Sequence, residues 1–135
     1  MEEKAEVFMI TEKSLQDKIY IIRGHKVMMD VDLAKIYGYE TKNFNRQVKN
    51  NQQKFEGDDF MFQLSDEEVE ELSRCKNFTL NKGMGRGSNI KYNPYVFTEQ
   101  GIYMLMTVLR GELAIKQSRA LVRTFKKMKD YILDN

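Results

Sequence analysis

A polar stretch from position 42 to position 50 carries side chains with the chemistry of nucleic-acid recognition. Its candidate contact residues are Lys42, Asn43, Asn45, Arg46, Gln47, Lys49 and Asn50. Arginine can bond bidentately to guanine, and asparagine or glutamine to adenine, in the major groove of DNA. Lysine can neutralise phosphates. These residues therefore make the stretch a candidate DNA-reading surface.

Two predicted helices would position this stretch. Asp30 is expected to cap a short helix over residues 31–37. Gly38 follows where a helix C-terminus favours a residue that accepts positive φ. Thr41 is expected to cap a second helix over residues 42–53. Two helices joined by a short glycine-bearing turn are the plan of a helix-turn-helix.

The second of these helices is predicted to be amphipathic. Phe44 and Val48 lie four positions apart and are expected to face the core, while the polar residues project elsewhere. In a helix-turn-helix, the second helix enters the major groove of DNA. A solvated polar face on an ordinary surface helix is the alternative interpretation.

A second candidate surface is the glycine-rich stretch 76–92, in which we expect Lys82, Arg86 and Lys91 to contact DNA. Glycines let a backbone approach a phosphate chain closely. The stretch lacks the Gly-Lys-Ser/Thr ending of a nucleotide-binding phosphate loop and does not lead from a strand into a helix. A solvent loop without function is the alternative.

Charge is segregated along the chain, although the formal net charge is only +2. One segment is acidic and contains no base: Asp58, Asp59, Asp66, Glu67, Glu68, Glu70 and Glu71. A later segment has Glu112 as its one acid and carries the bases Arg110, Lys116, Arg119, Arg123, Lys126, Lys127 and Lys129. Such segregation can create a strongly positive face on a nearly neutral molecule. The basic segment is a third candidate for contacts with the DNA backbone, though lysines near a helix C-terminus also have a structural explanation.

Residues that could support catalysis are few. His25 is the only histidine and lies beside a predicted turn, and Cys75 is the only cysteine. No spacing typical of a metal site is present. We therefore expect no enzymatic activity, no catalytic residue, no metal and no small-molecule cofactor.

The remaining patterns predict an α+β single domain that contains the helix-turn-helix, short strands and two long C-terminal helices. A β-hairpin is expected over 19–29 with its turn at Gly24-His25, and single strands over 60–64 and 95–97. Ser65 and Glu68 form a capping-box pattern that opens an acidic helix. Thr98 is expected to cap the first long C-terminal helix, and Gly111 to separate it from a final helix over 112–133. The apolar stripe of that final helix is assigned to the core, with a dimer seam as the alternative; it comprises Leu121, Val122, Phe125, Met128 and Ile132.

Several motifs, in this order, resemble the phage and prophage ORF-six-N domain family, a relative of the KilA-N and Bro-N domains. They are Ile22-Arg23-Gly24, Asp32-Leu33-Ala34, Tyr37-Gly38, Asn45-Arg46-Gln47-Val48, Phe60-Met61-Phe62-Gln63-Leu64 and Phe97-Thr98-Glu99-Gln100-Gly101. The resemblance covers residues 18–131, which leaves 1–17 as an N-terminal extension and 132–135 as a C-terminal end. It implies a DNA-binding module linked in some relatives to antirepressor-like regulation. Because the chain ends soon after the last predicted helix, we expect no fused effector domain.

Together these observations predict a cytoplasmic, sequence-recognising DNA-binding domain of phage or prophage origin, acting as a transcriptional or antirepressor-type regulator. Its expected partner is double-stranded DNA, with a homodimer or a repressor protein as further candidates. The alternative is a protein-interaction module that acts on a repressor without binding DNA itself. We expect neither a signal peptide nor a membrane span, since the longest apolar stretch, 102–109, is too short to cross a bilayer.

Overall fold

A computed structural model describes residues 12–74 and 93–134, with side chains over 14–74 and 93–129. The predicted glycine-rich stretch 76–92 lies outside the described residues. The side chain of Ile132 lies outside them as well.

Within the described residues, four antiparallel strands form one sheet in the order β1–β2–β4–β3. The strands are β1 (Tyr20–Ile22), β2 (His25–Met29), β3 (Met61–Gln63) and β4 (Tyr95–Thr98). The predicted hairpin and both single strands are thereby confirmed. Met28 of β2 and Met61 of β3 both pair with Phe97 of β4, which lies between these two strands. The middle of the sheet is therefore completed by the strand that comes last in the chain.

The described residues also form six α-helices and one 3₁₀ helix. They are α1 (Glu12–Gln16), α2 (Asp30–Tyr37), α3 (Thr41–Asn50), the 3₁₀ helix (Gln52–Phe55), α4 (Asp66–Leu72), α5 (Glu99–Leu105) and α6 (Glu112–Asp134). The chain is a single α+β domain, as predicted. Helix α1 was not predicted, and its Leu15 is only 1% exposed within the main core. Part of the expected N-terminal extension is thus packed into the domain.

Both faces of the sheet are covered. On one face, Met28 and Phe97 join the main core that helices α2, α3, α5 and α6 build. On the other face, Val27 and Val96 pack in a second cluster with Leu72 of α4. Since successive strand residues point to opposite faces, β2 and β4 are apolar on both sides. This arrangement places α4 on the opposite side of the sheet from α3 and α6.

The prediction of two long C-terminal helices is wrong for the first of them. Helix α5 ends at Leu105, and the chain continues in a turn in which the Thr107 N–H donates to the Met104 carbonyl oxygen at 2.9 Å. The Thr107 hydroxyl donates to the same oxygen at 2.8 Å. Local bonding of this kind offers the backbone an alternative to helix propagation. The final helix, α6, is long as predicted.

Helix α5 begins at a close approach between two backbone segments. The Thr98 hydroxyl oxygen accepts from the Gly101 N–H at 3.2 Å, which confirms the predicted cap. A Cβ atom on Gly101 would lie 2.0 Å from the carbonyl oxygen of Phe60. Only glycine permits α5 to lie this close to the residue that precedes β3.

The turn of the β1–β2 hairpin is formed by Arg23 and Gly24, whose φ angles are 54° and 80°. Ile22 pairs with His25 across it, so the prediction of a turn at Gly24-His25 was wrong by one residue. Type I′ turns, one of the two kinds of two-residue hairpin turn that match the twist of the strands, require positive φ at both central positions. Arg23 adopts this unusual conformation while its side chain makes several contacts with other elements.

The Arg23 guanidinium connects the hairpin to helix α4. Its Nε and Nη2 donate to the two carboxylate oxygens of Glu68 at 2.8 and 2.9 Å, and Nη1 donates to Asp58 at 3.2 Å. The guanidinium carbon lies 4.1 Å from the ring centroid of Phe62. Glu68 also accepts from the Ser65 backbone N–H at 2.8 Å, while the Ser65 hydroxyl accepts from the Glu68 N–H. The predicted capping box is confirmed, and it anchors the arginine.

We predict that this network makes the domain sensitive to acid. The hydrogen bond from Arg23 lowers the pKa of Glu68 to about 2. A carboxyl whose pKa is lower in the folded than in the unfolded state stabilises the fold above its unfolded pKa and loses that contribution as the pH falls. The stability advantage of wild type over Glu68→Gln should therefore be complete above about pH 5 and disappear near pH 2. Urea unfolding across this range measures it.

Glu67→Gln is the matched control, because Glu67 lies on the same helix turn and is exposed. A Glu68→Gln difference from wild type that stays constant from pH 6 to pH 2 would contradict the assigned ion pair.

Candidate nucleic-acid interface

Helices α2 and α3 form the predicted pair joined by a short turn, which spans residues 38–40. Gly38 ends α2 with a φ of 76°, as its position predicted. The Tyr39 N–H donates to the Ala34 carbonyl oxygen at 2.8 Å and the Gly38 N–H to that of Lys35 at 3.2 Å. This pattern satisfies carbonyls at the end of α2 and reverses the chain into α3.

The bounds of α3 differ from the prediction. Thr41 is the first helical residue, and Glu40 occupies the N-cap position without a side-chain hydrogen bond, so the predicted Thr41 cap is wrong. The helix ends at Asn50 rather than at Gln53. Its C-terminal end is closed by Asn51, whose side-chain Nδ2 donates to the Gln47 carbonyl oxygen at 2.9 Å.

The apolar side of α3 packs as predicted. Phe44 and Val48 are buried. The Phe44 ring meets the Phe97 ring edge to face, with 5.7 Å between centroids. Such aromatic pairs contribute beyond their buried area. Helix α3 is therefore anchored to β4, one of the two central strands of the sheet.

A buried carboxylate then sets the orientation of α3. Asp30 is 1% exposed, and its Oδ2 accepts from Asn45 Nδ2 at 2.9 Å and from the Tyr95 N–H at 3.4 Å. Its Oδ1 accepts from the Val31 N–H at 2.7 Å. Burial raises the pKa of Asp30, while these hydrogen bonds favour its charged form and oppose the shift. One side chain thus connects α2, α3 and β4.

The contacts of Asp30 correct two of the sequence-based predictions. Asp30 is the first residue of α2 rather than its N-cap, which is Met29. Asn45, expected to contact DNA, directs its amide nitrogen to the buried carboxylate. The structure therefore gives Asn45 a positioning role within the domain.

The other predicted DNA-contact residues of α3 lie on its outer face, opposite Phe44 and Val48. Lys42, Arg46, Lys49 and Asn50 are exposed, and Asn43 and Gln47 are half-buried. Residues three and four apart share a helix face, so the cations at 42, 46 and 49 form one row. No acid lies within α3, and the Asn43 side chain reaches Glu40 at 3.5 Å. We call this surface the α3 face.

The acidic and basic segments of the sequence lie on opposite sides of the sheet. Helix α4 carries exposed acids at Asp66, Glu67, Glu70 and Glu71 and covers one side of the sheet. The α3 face and the basic helix α6 belong to the layer on the other side. The field around a nearly neutral domain can then remain strongly positive near α3.

A groove of about 790 Å³ runs beside the α3 face. Lys42 and Lys49 line it together with the acid Glu56, and Phe55, Met61 and Tyr95 provide apolar surface. The two lysines therefore border both the groove and the convex outer face of the helix.

The three remaining predicted contact residues, Lys82, Arg86 and Lys91, lie outside the described residues. Helix α6, the third candidate surface, carries exposed cations at Lys116, Arg119 and Arg123. Lys129 of this helix pairs with Glu99 at 3.1 Å. None of the helices that the structure describes combines the length and the apolar character that a membrane span needs.

The residue that sequence reasoning missed is Asp30 in its bridging role. The available signal was its position: an acid directly after the apolar run Val27-Met28-Met29 and before a helix. A carboxylate that is buried at such a position needs several hydrogen-bond donors. The sequence could suggest the need for donors but not which residues supply them.

Comparison with known proteins decides the family. The model of the ORF6N domain matches residues 17–108, more than half of the chain. The chain belongs to the ORF6N domain family. No curated protein and no solved structure matches it. The match spans the whole sheet and helices α2 to α5, so the α2–α3 pair and Asp30 lie within the ORF6N domain, and α6 follows it.

We predict unequal effects on the free energy of unfolding for two neighbouring alanine substitutions on α3. Asn45→Ala removes a donor from the buried Asp30 carboxylate and should lower the free energy of unfolding by about 2 kcal/mol. Arg46→Ala, at an exposed position of the same helix, should change it by less than about 0.5 kcal/mol. Urea unfolding at neutral pH measures both. Equal effects of the two substitutions would contradict the positioning role of Asn45.

Proposed function

We propose that this ORF6N chain recognises duplex DNA in a sequence-dependent way and acts as a cytoplasmic regulator of transcription. The observation that carries the proposal is the α3 face: a row of three cations flanked by amides on a helix that is fixed to the sheet. An exposed helix in this arrangement has the shape and the donors that the major groove accommodates.

The α3 face allows separate roles for its residues. Arg46, at the centre of the row, is proposed to bond to guanine, whose O6 and N7 fit a guanidinium. Asn43, Gln47 and Asn50 carry the amides that suit adenine. Lys42 and Lys49 are proposed to neutralise phosphates on either side. Asn45 positions α3 through its hydrogen bond to Asp30 and is not proposed to contact a base.

Contacts outside α3 belong to the same proposal. Lys82, Arg86 and Lys91 are proposed to hold the DNA backbone, as their charge and glycine-rich context predicted. An antirepressor role, in which the domain competes for a regulatory DNA site, is consistent with binding of this kind. Nothing in the proposal requires catalysis by the chain.

The salt dependence of binding tests the proposed phosphate contacts. Affinity for duplex DNA should fall linearly on a log–log plot against salt concentration, with a slope of about −0.9 per neutralised phosphate. Lys42→Ala and Lys49→Ala should each reduce the magnitude of that slope by about 1. Fluorescence anisotropy with random-sequence duplex DNA at several salt concentrations measures it.

Arg74→Ala is the charge-matched control, because Arg74 is exposed beyond the end of the acidic helix α4. It should leave the slope unchanged. If wild type showed no affinity for DNA at low salt, or if Arg74→Ala changed the slope as much as Lys49→Ala, the proposed interface would be wrong. Absence of DNA binding would favour a module that acts on a repressor protein.

A further inference from the structure

Helix α6 presents two large apolar side chains to solvent. Ile115 is 62% exposed and Val122 is 42% exposed, although Leu121 beside Val122 is fully buried. The sequence assigned Val122 to the core stripe, and the structure corrects this. The two exposed residues are seven positions apart, which is two helical turns, so they lie on one face about 10 Å apart. A helix on the surface of a domain normally has a polar outer face.

These side chains border an open groove of about 350 Å³, which we call the α6 groove. Met106 and Leu109, which follow α5, line it. Ala114, Ile115, Ser118 and Val122 line it along α6. Its length follows α6 and its lining is mainly aliphatic. An amphipathic helix offers apolar anchors at the same seven-residue spacing to grooves of this kind.

The rim of the α6 groove is cationic. Arg119 and Arg123 line it and are exposed, and neither forms an ion pair with any residue that the structure describes. Lys116 is exposed nearby on the same helix. Glu112 is the one acid between positions 110 and 129. An occupant that brings acids to this rim would find complementary charge.

The positive charge at the rim of the α6 groove and its apolar lining together favour one kind of binding partner. A second copy of the chain would bring the same arginines to the groove, and like charges at an interface disfavour association. Duplex DNA would satisfy the cations but would leave Ile115 and Val122 against its charged backbone. A helix with an apolar stripe and acidic flanks matches both features.

We propose that the α6 groove binds an acidic amphipathic helix of a partner protein. Apolar side chains of that helix enter between Met106, Ile115 and Val122, and its flanking carboxylates pair with Arg119 and Arg123. The site shares no residue with the α3 face, so it does not depend on the proposed DNA binding. A domain with both sites can join a partner protein to the DNA that α3 reads.

A designed peptide tests the proposal directly. The probe is a fluorescein-labelled helix of about 18 residues, or five turns, with leucines spaced three and four apart and glutamates on both sides of them. Two control peptides replace the glutamates by lysine or the leucines by serine. The full chain should bind the probe with micromolar affinity by fluorescence anisotropy and should bind each control peptide at least tenfold more weakly.

Variants of the chain locate the site. Val122→Ser and Arg123→Glu should each weaken binding of the probe about tenfold, while Lys49→Glu on the α3 face leaves it unchanged. Since all three positions are exposed, thermal unfolding followed by circular dichroism should show near wild-type melting for each. Equal binding of the lysine peptide, or of the serine peptide, would overturn the proposal.

Two other outcomes would also overturn it. One is that the wild-type chain does not bind the probe and that Arg123→Glu lowers its affinity for DNA. This result would assign the groove to nucleic acid. The other is a wild-type dimer in sedimentation that Val122→Ser converts to a monomer, which would assign it to a second copy.

Discussion

The buried carboxylate of Asp30 holds together the elements on which the candidate interface depends. A carboxylate removed from water needs several hydrogen bonds to remain charged, and here the donors come from the backbone of α2, the side chain of Asn45 and the backbone of β4. Because each donor belongs to a different element, α3 cannot rotate or slide along the sheet without leaving the charge short of a partner. That constraint presents Lys42, Arg46 and Lys49 outward as a fixed row. A DNA-reading surface benefits from such rigidity, since side chains on a rigid helix are positioned more accurately than those on a loop.

The opposite side of the sheet uses a second charged network for a different purpose. The Arg23 guanidinium lies over Phe62 and binds Glu68 with two hydrogen bonds, which joins the hairpin turn to the start of α4. The acids of α4 are thereby kept away from the layer that contains α3 and α6. A net charge of +2 hides this separation. The consequence is a domain that can present positive charge to one partner without being strongly basic overall.

Local patterns predicted the elements whose stability is local. The Ser65–Glu68 capping box, the Thr98 cap and the left-handed Gly38 depend on residues within a few positions of one another, and the sequence identified all three. Phe44 and Val48 were assigned to the core from their four-residue spacing alone. The family resemblance rested on motifs that are now seen to build the sheet and the α2–α3 pair.

Other features depend on partners far away in the chain and could not be predicted from these patterns. Arg23 takes part in the turn with help from Glu68, which is 45 positions away, and Asp30 bonds to Tyr95 at a separation of 65. Asn45 has the residue type of a base-reading side chain, but its amide faces Asp30. Val122 falls in an apolar spacing pattern and still faces solvent. A sequence pattern gives the residue type and the face of the helix or strand on which the residue is expected. Which other residue it contacts depends on the tertiary fold.

The central claim is that the α3 face reads base sequence, and Arg46 lies at its centre. Selection of bound sequences from a random pool of duplex DNA, done in parallel with wild type and Arg46→Ala, tests this most directly. The account predicts that wild type enriches a defined motif and that Arg46→Ala loses preference at one guanine position while the rest of the motif persists. The same motif from both proteins, or no enrichment by wild type, would contradict it.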